Sequence, residues 1–375
     1  MKKILFITDR VMHYQIETFR TLEKCLNQNG FELWLLSGED KRRTTGRVGI
    51  SDKVIANEVK FSFMEIFVFG YKIAWYEKII EKIKGIEPAI VVNAAHSGNL
   101  SHWQISRNKN RLNFQLVSWL CGYEFHPGQL KKIIQSKLIR RYDYHLAYHT
   151  NAQSYAMTHG SLRENITIIH NTINEQKIVP MSLEDARARI IALHPEIGSR
   201  QIILYVGAVL QEKRIEIIFD ALNLLHDTDA VFVLVGDGEH LPAIQALAGG
   251  RKDVVFAGRV VAGVEAYFDS AAMYVLPGTG GLGINEAMAH ALPVVSGYAD
   301  GSADDLVIDG ETGFRLKIAS ADELADRMRY LLEHPNQARA MGKKGELRIR
   351  GELSFEKFIN RSVSGLQSIF SKFPA

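Results

Sequence analysis

Short apolar segments alternate with helical patterns along the chain, and this alternation begins twice in the same way. The first half opens with KKILFITD (2–9) and the helical pattern IETFRTLEKCL (16–26); the second opens with QIILYVGA (201–208) and RIEIIFDAL (214–222). In each half the next apolar segment comes about thirty residues later, a spacing typical of a βαβ unit. Nearly unbroken β-rich segments between helices favour parallel sheets covered on both faces. The pattern therefore predicts an α/β protein with two doubly wound, Rossmann-like parallel sheets.

The length of 375 residues suits two domains. Residues 175–200 are polar, contain two prolines and interrupt the alternation. We therefore expect an N-terminal domain over 1–175, then a linker and C-terminal domain over 176–353. We expect the last helical pattern, 354–375, to pack back on the first domain. Ligands of doubly wound folds bind outside the carboxyl ends of the strands, so we expect a site in a cleft where the two domains face each other.

Composition gives expectations about the binding partners and the location of the protein. The formal net charge of +3 gives no indication of a nucleic-acid partner and permits an anionic ligand. The two cysteines, Cys25 and Cys121, provide neither a disulfide framework nor a metal site and suit a reducing cytoplasm. No apolar run approaches the roughly 18 residues that a membrane-spanning helix needs. We expect a cytoplasmic protein, with contact at the inner face of the membrane left open.

A glycine-rich segment in the second half predicts a phosphate site. PGTGGLGINEAMAHALPVV (277–295) has four glycines within six positions and comes between a predicted strand and a predicted helix. Backbone amides at such a helix start bind phosphate, and glycines let the backbone approach it closely. Glu286, one turn into the helix, suits the hydroxyls of a ribose, so the two features together describe a nucleotide. The alternative is an ordinary turn with a glutamate that complements the helix dipole.

Two cations lie at the end of another strand of the same half. GAVLQEKR (207–214) also leads from a strand into a helix and carries Lys213 and Arg214. A lysine there can neutralise a diphosphate, and an arginine can bind it bidentately or point into solvent. Two cations at a helix N-terminus oppose the dipole, which favours a local anion over a solvated helix start.

Four segments of the second half, in this order, resemble one enzyme family. GAVLQEK, VGDGE, VVFAGRV and GGLGINEAMAHALPVVSG are similar to the donor half of the retaining GT-B glycosyltransferases of family 4, the group 1 glycosyltransferases. The resemblance implies that Lys213 and Glu286 act in catalysis, Lys213 on the donor diphosphate and Glu286 on the ribose. It implies that Phe256 and Ala257 line the base and that the amides of Gly281, Leu282 and Gly283 hold the distal phosphate. Gly207 and Arg214 complete the expected binding set for the nucleotide sugar.

Three positions depart from the family pattern. The first glutamate of the E-x7-E motif, which contacts the transferred sugar, would be residue 278 and is Gly278 here. The arginine of the diphosphate loop is replaced by Ala208, and a frequent histidine of the first half by Cys121. The missing carboxylate puts the identity of the donor sugar in doubt more than the reaction class.

The first half is expected to bind the acceptor. Its strand-end loops carry Asp9 and Arg10, His13 and Tyr14, and His96 and Asn99. Of these we assign acceptor contacts to His13 and Tyr14, in the loop after the first strand. Glu124 and His126 follow Cys121, which replaces the family's histidine. They are candidates for the role of that histidine, although either residue is more often an ordinary loop residue.

A basic helical pattern adds a membrane hypothesis. QLKKIIQSKLIRRY (129–142) contains five cations and no acid, with Leu130, Ile133, Ile134 and Leu138 on one stripe. Such a helix can rest on an anionic leaflet and reach a lipid-linked acceptor. The alternative is a helix docked on its own domain by the apolar stripe.

The function expected from these features is transfer of a sugar from a nucleoside diphosphate sugar, a UDP- or GDP-sugar, to a hydroxyl of a glycan or lipid-linked acceptor, with retention. The resemblance places this step in bacterial surface polysaccharide synthesis. No D-x-D-like cluster follows a predicted strand, so we expect neither a metal nor a cofactor. Alternatives are a nucleotide-sugar epimerase or phosphorylase on the same fold, or a non-catalytic nucleotide-binding subunit.

Overall fold

The computed structural model describes residues 1–39, 52–68, 71–122, 128–297 and 301–372. The chain divides into two compact units. The N-terminal unit comprises Met1–Asn171 and Glu356–Ala375, and the C-terminal unit comprises Thr172–Phe355. The division after residue 171 compares with an expected boundary at 175.

The N-terminal unit alternates strands and helices. Its elements are β1 (Lys2–Thr8), α1 (Ile16–Gln28), β2 (Phe31–Gly38), β3 (Glu58–Phe61), β4 (Phe63–Val68), β5 (Tyr71–Tyr76), α2 (Ile79–Ile86), β6 (Ile90–Asn93), α3 (Leu100–Asn108), β7 (Gln115–Leu120), α4 (Gln129–Ile139), β8 (Tyr144–Ala147), α5 (Thr150–Thr158) and β9 (Ile166–Ile168).

The C-terminal unit continues the alternation, and a last helix follows it. The elements are α6 (Leu183–Leu193), β10 (Gln201–Val206), α7 (Glu216–Leu224), β11 (Ala230–Val235), α8 (Leu241–Ala248), β12 (Val254–Gly258), α9 (Glu265–Ser270), β13 (Met273–Leu276), α10 (Leu282–Ala289), β14 (Val294–Ser296), α11 (Ser302–Leu306), β15 (Gly313–Arg315), α12 (Ala321–Glu333), α13 (Pro335–Arg350) and α14 (Phe355–Lys372).

Each unit has one main sheet, and all its pairings are parallel. The N-terminal sheet has the order β3-β2-β1-β6-β7-β8-β9, and the C-terminal sheet has the order β12-β11-β10-β13-β14-β15. The central strands are buried on both faces because helices cover them; Ile4 and Leu5 of β1 and Ile203 and Leu204 of β10 are at most 1% exposed. The predicted α/β architecture of two Rossmann-like parallel sheets is confirmed.

The strand order reverses once in each sheet. In the N-terminal unit the reversal lies between β1 and β6, and in the C-terminal unit between β10 and β13. The loops after the two strands diverge to opposite faces at such a switch point and leave a crevice there, which is where open α/β sheets bind ligands. The topology therefore indicates two candidate binding sites, one in each unit.

The last helix belongs to the N-terminal unit from Glu356 onward. Phe358 packs edge-on against Trp119, with ring centroids 6.1 Å apart, and Phe370 stacks on Phe31 at 5.0 Å. A side chain at Gly365 would lie 2.7 Å from Leu146. The helix thus lies directly against β7, β8 and the start of β2.

Four strands were not predicted from the apolar pattern. They are β3, β15 and the antiparallel pair formed by β4 and β5. The β4–β5 hairpin exposes the apolar side chains of Met64, Ile66 and Phe67, so its sequence does not show the alternation of buried apolar and exposed polar residues that identifies a strand on a core. Among the residues that the structure describes, no helix is both long enough and apolar enough to cross a membrane.

Candidate functional site

The switch point of the C-terminal sheet brings two predicted loops together. β10 and β13 pair directly, with Ile203 opposite Met273 and Leu204 opposite Tyr274. The loop after β10 contains 207–213 and ends in a 3-10 turn, Gln211–Lys213; the loop after β13 contains 277–281 and leads into α10. Both predicted nucleotide loops therefore leave the same edge of the sheet side by side.

Hydrogen bonds join the two loops. The Thr279 amide and hydroxyl donate to the Glu212 carbonyl at 2.9 and 3.2 Å. In return, the Lys213 ammonium donates to the Thr279 carbonyl at 2.5 Å. Lys213 is half-buried. Its charge is thereby held two residues before Gly281, the N-cap of α10.

The start of α10 has the backbone chemistry of an anion site. Gly281 is the N-cap and no side chain caps the helix. A side chain at Gly283 would lie 2.3 Å from the Tyr274 hydroxyl, which itself donates to the Val206 carbonyl at 3.1 Å. Glycine is required at 283 so that the first helical turn can sit against β13. An uncapped helix N-terminus beside a lysine suits a phosphate group.

Glu286 lies one turn further along α10 and is half-buried. Burial raises the pKa of its carboxyl; the nearby His290 ring opposes this shift, and the Glu265 carboxylate adds to it. A partly desolvated carboxylate forms stronger hydrogen bonds than an exposed one. This setting suits recognition of the hydroxyl pair of a ribose.

A buried pair behind Glu286 was not found from the sequence. His290 donates or accepts at Nδ1 with Asp269 Oδ1 at 2.7 Å, and both side chains are almost completely buried. The His290 ring stacks on Phe268 with centroids 5.0 Å apart, and Asp269 Oδ2 accepts the Met181 amide at 3.0 Å. The pair anchors the end of α10 to α9. Nothing in the local sequence around 269 indicates this contact, because it forms between two helices.

The remaining predicted donor residues lie along the same edge or next to it. The Gly207 amide donates to the Val235 carbonyl at 3.0 Å. Phe256 and Ala257 are half-buried near the end of β12, two strands from β10 and hence about 10 Å away. Arg214 is exposed and donates to the Ala319 carbonyl at 3.3 Å. The edge thus carries all of these residues, with the Arg214 guanidinium turned toward the loop before α12.

Position 278 has no room for a side chain. A Cβ there would lie 2.2 Å from the Glu212 carbonyl oxygen and 2.4 Å from the Lys213 carbonyl carbon. Both contacts are to backbone, which cannot rotate away. The 3-10 turn that carries Lys213 therefore occupies the place where the family pattern has a glutamate. At the second departed position, the Ala208 carbonyl accepts the Tyr205 hydroxyl at 2.8 Å.

The predicted acceptor residues are placed only in part. His13 and Tyr14 form an exposed 3-10 turn after β1, with their rings edge to face at 5.5 Å. Glu124 and His126 lie outside the described residues. Within the described ranges no group of three or more His, Cys, Asp or Glu side chains is arranged to hold a metal ion.

Comparison with known proteins agrees with this geometry. Residues 200–334 match the family model described as Glycosyl transferases group 1. Over these residues, which lie within the C-terminal unit, the chain is similar to the group 1 glycosyltransferases. A crystal structure of Anabaena Alr3699/HepE in complex with UDP superposes with a TM-score of 0.76 at 15% identity, covering 98% of this chain and 100% of that one. Together with similar neighbours it shows that the fold is GT-B.

Two curated relatives align with the chain over parts of their length. The GDP-mannose-dependent alpha-(1-6)-phosphatidylinositol monomannoside mannosyltransferase of Mycolicibacterium smegmatis is 31% identical over 177 residues, 43% of this chain and 46% of the relative. The D-rhamnosyltransferase WbpZ of Pseudomonas aeruginosa is 31% identical over 155 residues, 39% of this chain and 40% of the relative. The chain thus matches less than half the length of either relative.

Proposed function

We propose that this protein transfers a sugar from a nucleoside diphosphate sugar to a hydroxyl of a glycan or lipid-linked acceptor. The observation that carries the proposal is the contact of the Lys213 ammonium with the Thr279 carbonyl, at the uncapped start of α10 and with Glu286 one turn beyond. The cation and the helix amides suit the phosphates of a nucleotide, and the carboxylate one turn beyond suits its ribose. All are in the unit that matches the family model.

The proposed chemistry depends on stabilising the departing diphosphate. Negative charge accumulates on the leaving group as the glycosidic bond breaks, and Lys213 with the amides of Gly281, Leu282 and Gly283 offsets it. Preorganised charges and dipoles of this kind usually supply the largest part of such catalysis. We assign no metal to this step because the cation and the amides are already in place. We propose retention at the anomeric carbon, as in the family that the sequence resembles.

The donor proposed is a UDP- or GDP-sugar. One relative is named for its dependence on GDP-mannose, and a structural neighbour is titled as a complex with UDP. The side-chain-free position 278 removes a carboxylate that would contact the transferred sugar. Recognition of that sugar then falls to other groups, so we expect the nucleotide to be selected more strictly than the sugar.

Exposed apolar residues on α4 support a peripheral membrane contact. Leu130 is 71% exposed and Ile133 54% exposed, whereas Leu138 is buried. Only the end of the stripe is therefore docked on the unit, and the rest points outward among Lys132, Lys137 and other cations. An apolar stripe flanked by cations complements an anionic lipid surface. We propose that α4 rests on an anionic leaflet and that the acceptor is lipid-linked, in synthesis of a bacterial surface polysaccharide.

Release of nucleoside diphosphate from UDP- and GDP-sugars tests the enzyme proposal. The wild type should turn over one nucleotide class in the presence of acceptor extract. Lys213→Ala should lower the rate about 100- to 1,000-fold, as removal of one charge-stabilising group does. Lys252→Ala, an exposed lysine of the same unit, is the matched control and should leave the rate unchanged. Nucleotide binding without turnover of any donor would favour the non-catalytic alternative, and turnover without acceptor incorporation would favour an epimerase or phosphorylase.

Co-sedimentation with lipid vesicles tests the membrane contact. The protein should pellet with phosphatidylglycerol vesicles and stay in the supernatant with phosphatidylcholine vesicles. The double variant Leu130→Ser with Ile133→Ser should lose this binding, while Leu247→Ser, another exposed leucine on a helix, should retain it. Equal pelleting of both variants would contradict the assignment of α4.

A further inference from the structure

The switch point of the N-terminal sheet carries a polar network that the donor chemistry leaves unused. β1 and β6 pair there, from Ile4 opposite Ile90 to Phe6 opposite Val92. Asp9 follows β1 directly, and His96 follows β6 by three residues. The carboxyl ends of paired parallel strands share one edge of the sheet, so both side chains belong to the crevice of this unit.

A buried tyrosine holds the Asp9 carboxylate. The hydroxyl of Tyr76, on β5, donates to Asp9 Oδ1. Tyr76 is only 4% exposed, and its own amide donates to the Ser101 hydroxyl at 2.7 Å. Asp9 is half-buried. The carboxylate is therefore fixed from the protein side by a side chain that has almost no freedom to move.

A second buried ring continues the network. His102 is 1% exposed, and its Nδ1 accepts the His96 amide at 2.9 Å. Burial lowers the pKa of His102 to about 4; the charge of the His96 ring strengthens this effect, and Asp9 and the hydrogen bond to the His96 backbone oppose it. His102 Nδ1 also lies 3.1 Å from the His96 carbonyl oxygen, and His102 Nε2 lies 3.3 Å from the Tyr76 hydroxyl. In the tautomer that accepts the amide at Nδ1, the proton is on Nε2, and the donors run from the His96 amide through His102 and Tyr76 to Asp9.

The turn that presents His96 is strained and heavily supported. Ala95 has a φ of +55°, a left-handed conformation that costs a non-glycine residue energy. Gln135, 3% exposed, donates to the Ala95 carbonyl at 2.8 Å and accepts the Ser97 amide at 2.9 Å. The Trp103 indole donates to the Ser97 carbonyl at 3.0 Å. These side chains keep the backbone on both sides of His96 in place while its own side chain stays exposed.

We propose that Asp9 and His96 form a subsite that binds the hydroxyl groups of the acceptor, with Tyr76 and His102 as positioning residues. The inference rests on the proposed function and adds the acceptor contacts that it lacks. A carboxylate accepts several hydrogen bonds, and an imidazole can donate one and accept one. Together they match a polyol such as a sugar, whereas the carboxylate disfavours a phosphate at this place.

Saturation-transfer NMR on the full chain tests the subsite with a panel of methyl α-glycosides of glucose, galactose, mannose and N-acetylglucosamine. At least one should bind the wild type. Asp9→Asn keeps the shape of the side chain and should weaken that glycoside about tenfold to a hundredfold, the effect of losing a hydrogen bond to a charged group. His96→Ala should weaken it in the same direction. Asp52→Asn, an exposed aspartate of the same unit, should bind as the wild type does.

The positioning residues have a separate readout. In the wild type, glycoside should shift the imidazole resonances of His96, because that ring would contact it, and of His102, because Tyr76 connects that ring to Asp9. In Tyr76→Phe the link to His102 is cut, so glycoside should shift His96 alone and bind more weakly. A tyrosine with a purely structural role would leave both shifts in place as long as the variant folds.

Three results separate this inference from the proposed function. Failure of the wild type to bind any glycoside of the panel, or undiminished binding by Asp9→Asn and His96→Ala, would overturn the subsite. Binding of UDP or GDP should be the same in all of these variants, since the nucleotide residues lie in the other unit. Asp9-dependent glycoside binding without any nucleotide binding would retain the subsite and overturn the glycosyltransferase proposal.

Discussion

The two switch points share a topology and differ in the part of the chain that does the chemistry. In the C-terminal unit, backbone groups dominate: glycines, an uncapped helix and a lysine held by a carbonyl. In the N-terminal unit, side chains from β5, α3 and α4 converge on Asp9 and the turn at His96. Backbone amides suit the phosphates that every nucleotide shares. Side-chain networks suit the hydroxyl pattern that distinguishes one acceptor from another.

The units also differ in what can report on them. All four tryptophans, Trp34, Trp75, Trp103 and Trp119, lie in the N-terminal unit. Intrinsic tryptophan fluorescence therefore follows that unit alone, whereas circular dichroism follows both. Unfolding of the N-terminal unit and of the whole chain can therefore be followed in one sample by fluorescence and circular dichroism.

The largest expected effect on stability comes from a buried side-chain pair in the C-terminal unit. Its site is mainly backbone, yet α10 depends on the buried pair of Asp269 and His290. Asp269→Ala should lower the free energy of unfolding by about 3 to 5 kcal/mol, because it leaves His290 and the Met181 amide without their acceptor. Urea unfolding by circular dichroism measures this loss. Asp220→Ala, an exposed aspartate of the same unit, is the control; an equal effect of both variants would contradict the role of the pair.

The next effect is the pH dependence of stability, which is expected to have opposite signs in the two units. Burial lowers the pKa of both His102 and His145 to about 4 in the N-terminal unit. Between pH 6.5 and 4 the unfolded chain binds more protons than the folded one, so stability falls as the pH falls. Each histidine should account for about 3 kcal/mol over this range. Glu286 has the opposite sign: its raised pKa removes stability as the pH rises from about 4.5.

Urea unfolding followed by tryptophan fluorescence from pH 4 to 7 measures the histidine effect. The midpoint should rise with pH, and His145→Gln should flatten the curve. His13→Gln replaces an exposed histidine of the same unit and should leave the slope as it is. A midpoint that is flat or falls with rising pH would show that the buried histidines do not control this unit.

A smaller effect tests the close contact at Gly278. Restoring the family's carboxylate with Gly278→Glu should destabilise the protein by about 1 to 3 kcal/mol, since the side chain meets the backbone of 212–213. Displacement of Lys213 should also weaken nucleotide binding about tenfold. Gly85→Glu, at a helical glycine with open space around its Cβ position, is the matched control. Improved activity in Gly278→Glu would mean that the contact is not a constraint.

The contrast between the units explains which features of the fold and the site can be predicted from the sequence. The paired sheets follow from uninterrupted apolar segments such as 201–208, and the donor loops follow from local patterns of glycine, lysine and glutamate. Such a site is contiguous in sequence because its groups belong to the backbone. The fold class was therefore predictable, and so was the similarity of the second half to the group 1 glycosyltransferases. The positions of Lys213 and Glu286 along one sheet edge were predictable for the same reason.

The rest depended on contacts between distant segments. Tyr76 reaches Asp9 across 67 residues and Gln135 reaches Ala95 across 40, and no local pattern records such distances. Asp9 and His96 follow predicted strands and can be found from the sequence, whereas Tyr76 and His102, which hold them, cannot. The unpredicted β4–β5 hairpin is the element that carries Tyr76, so missing the strand also hid the network.

Titration calorimetry with UDP and GDP tests the central claim, that the switch point of the C-terminal unit is a nucleotide site. The wild type should bind one of the two, and both Lys213→Ala and Glu286→Gln should weaken that binding about tenfold to a hundredfold. Absence of binding to either nucleotide, or equal affinity in the wild type and both variants, would contradict the account.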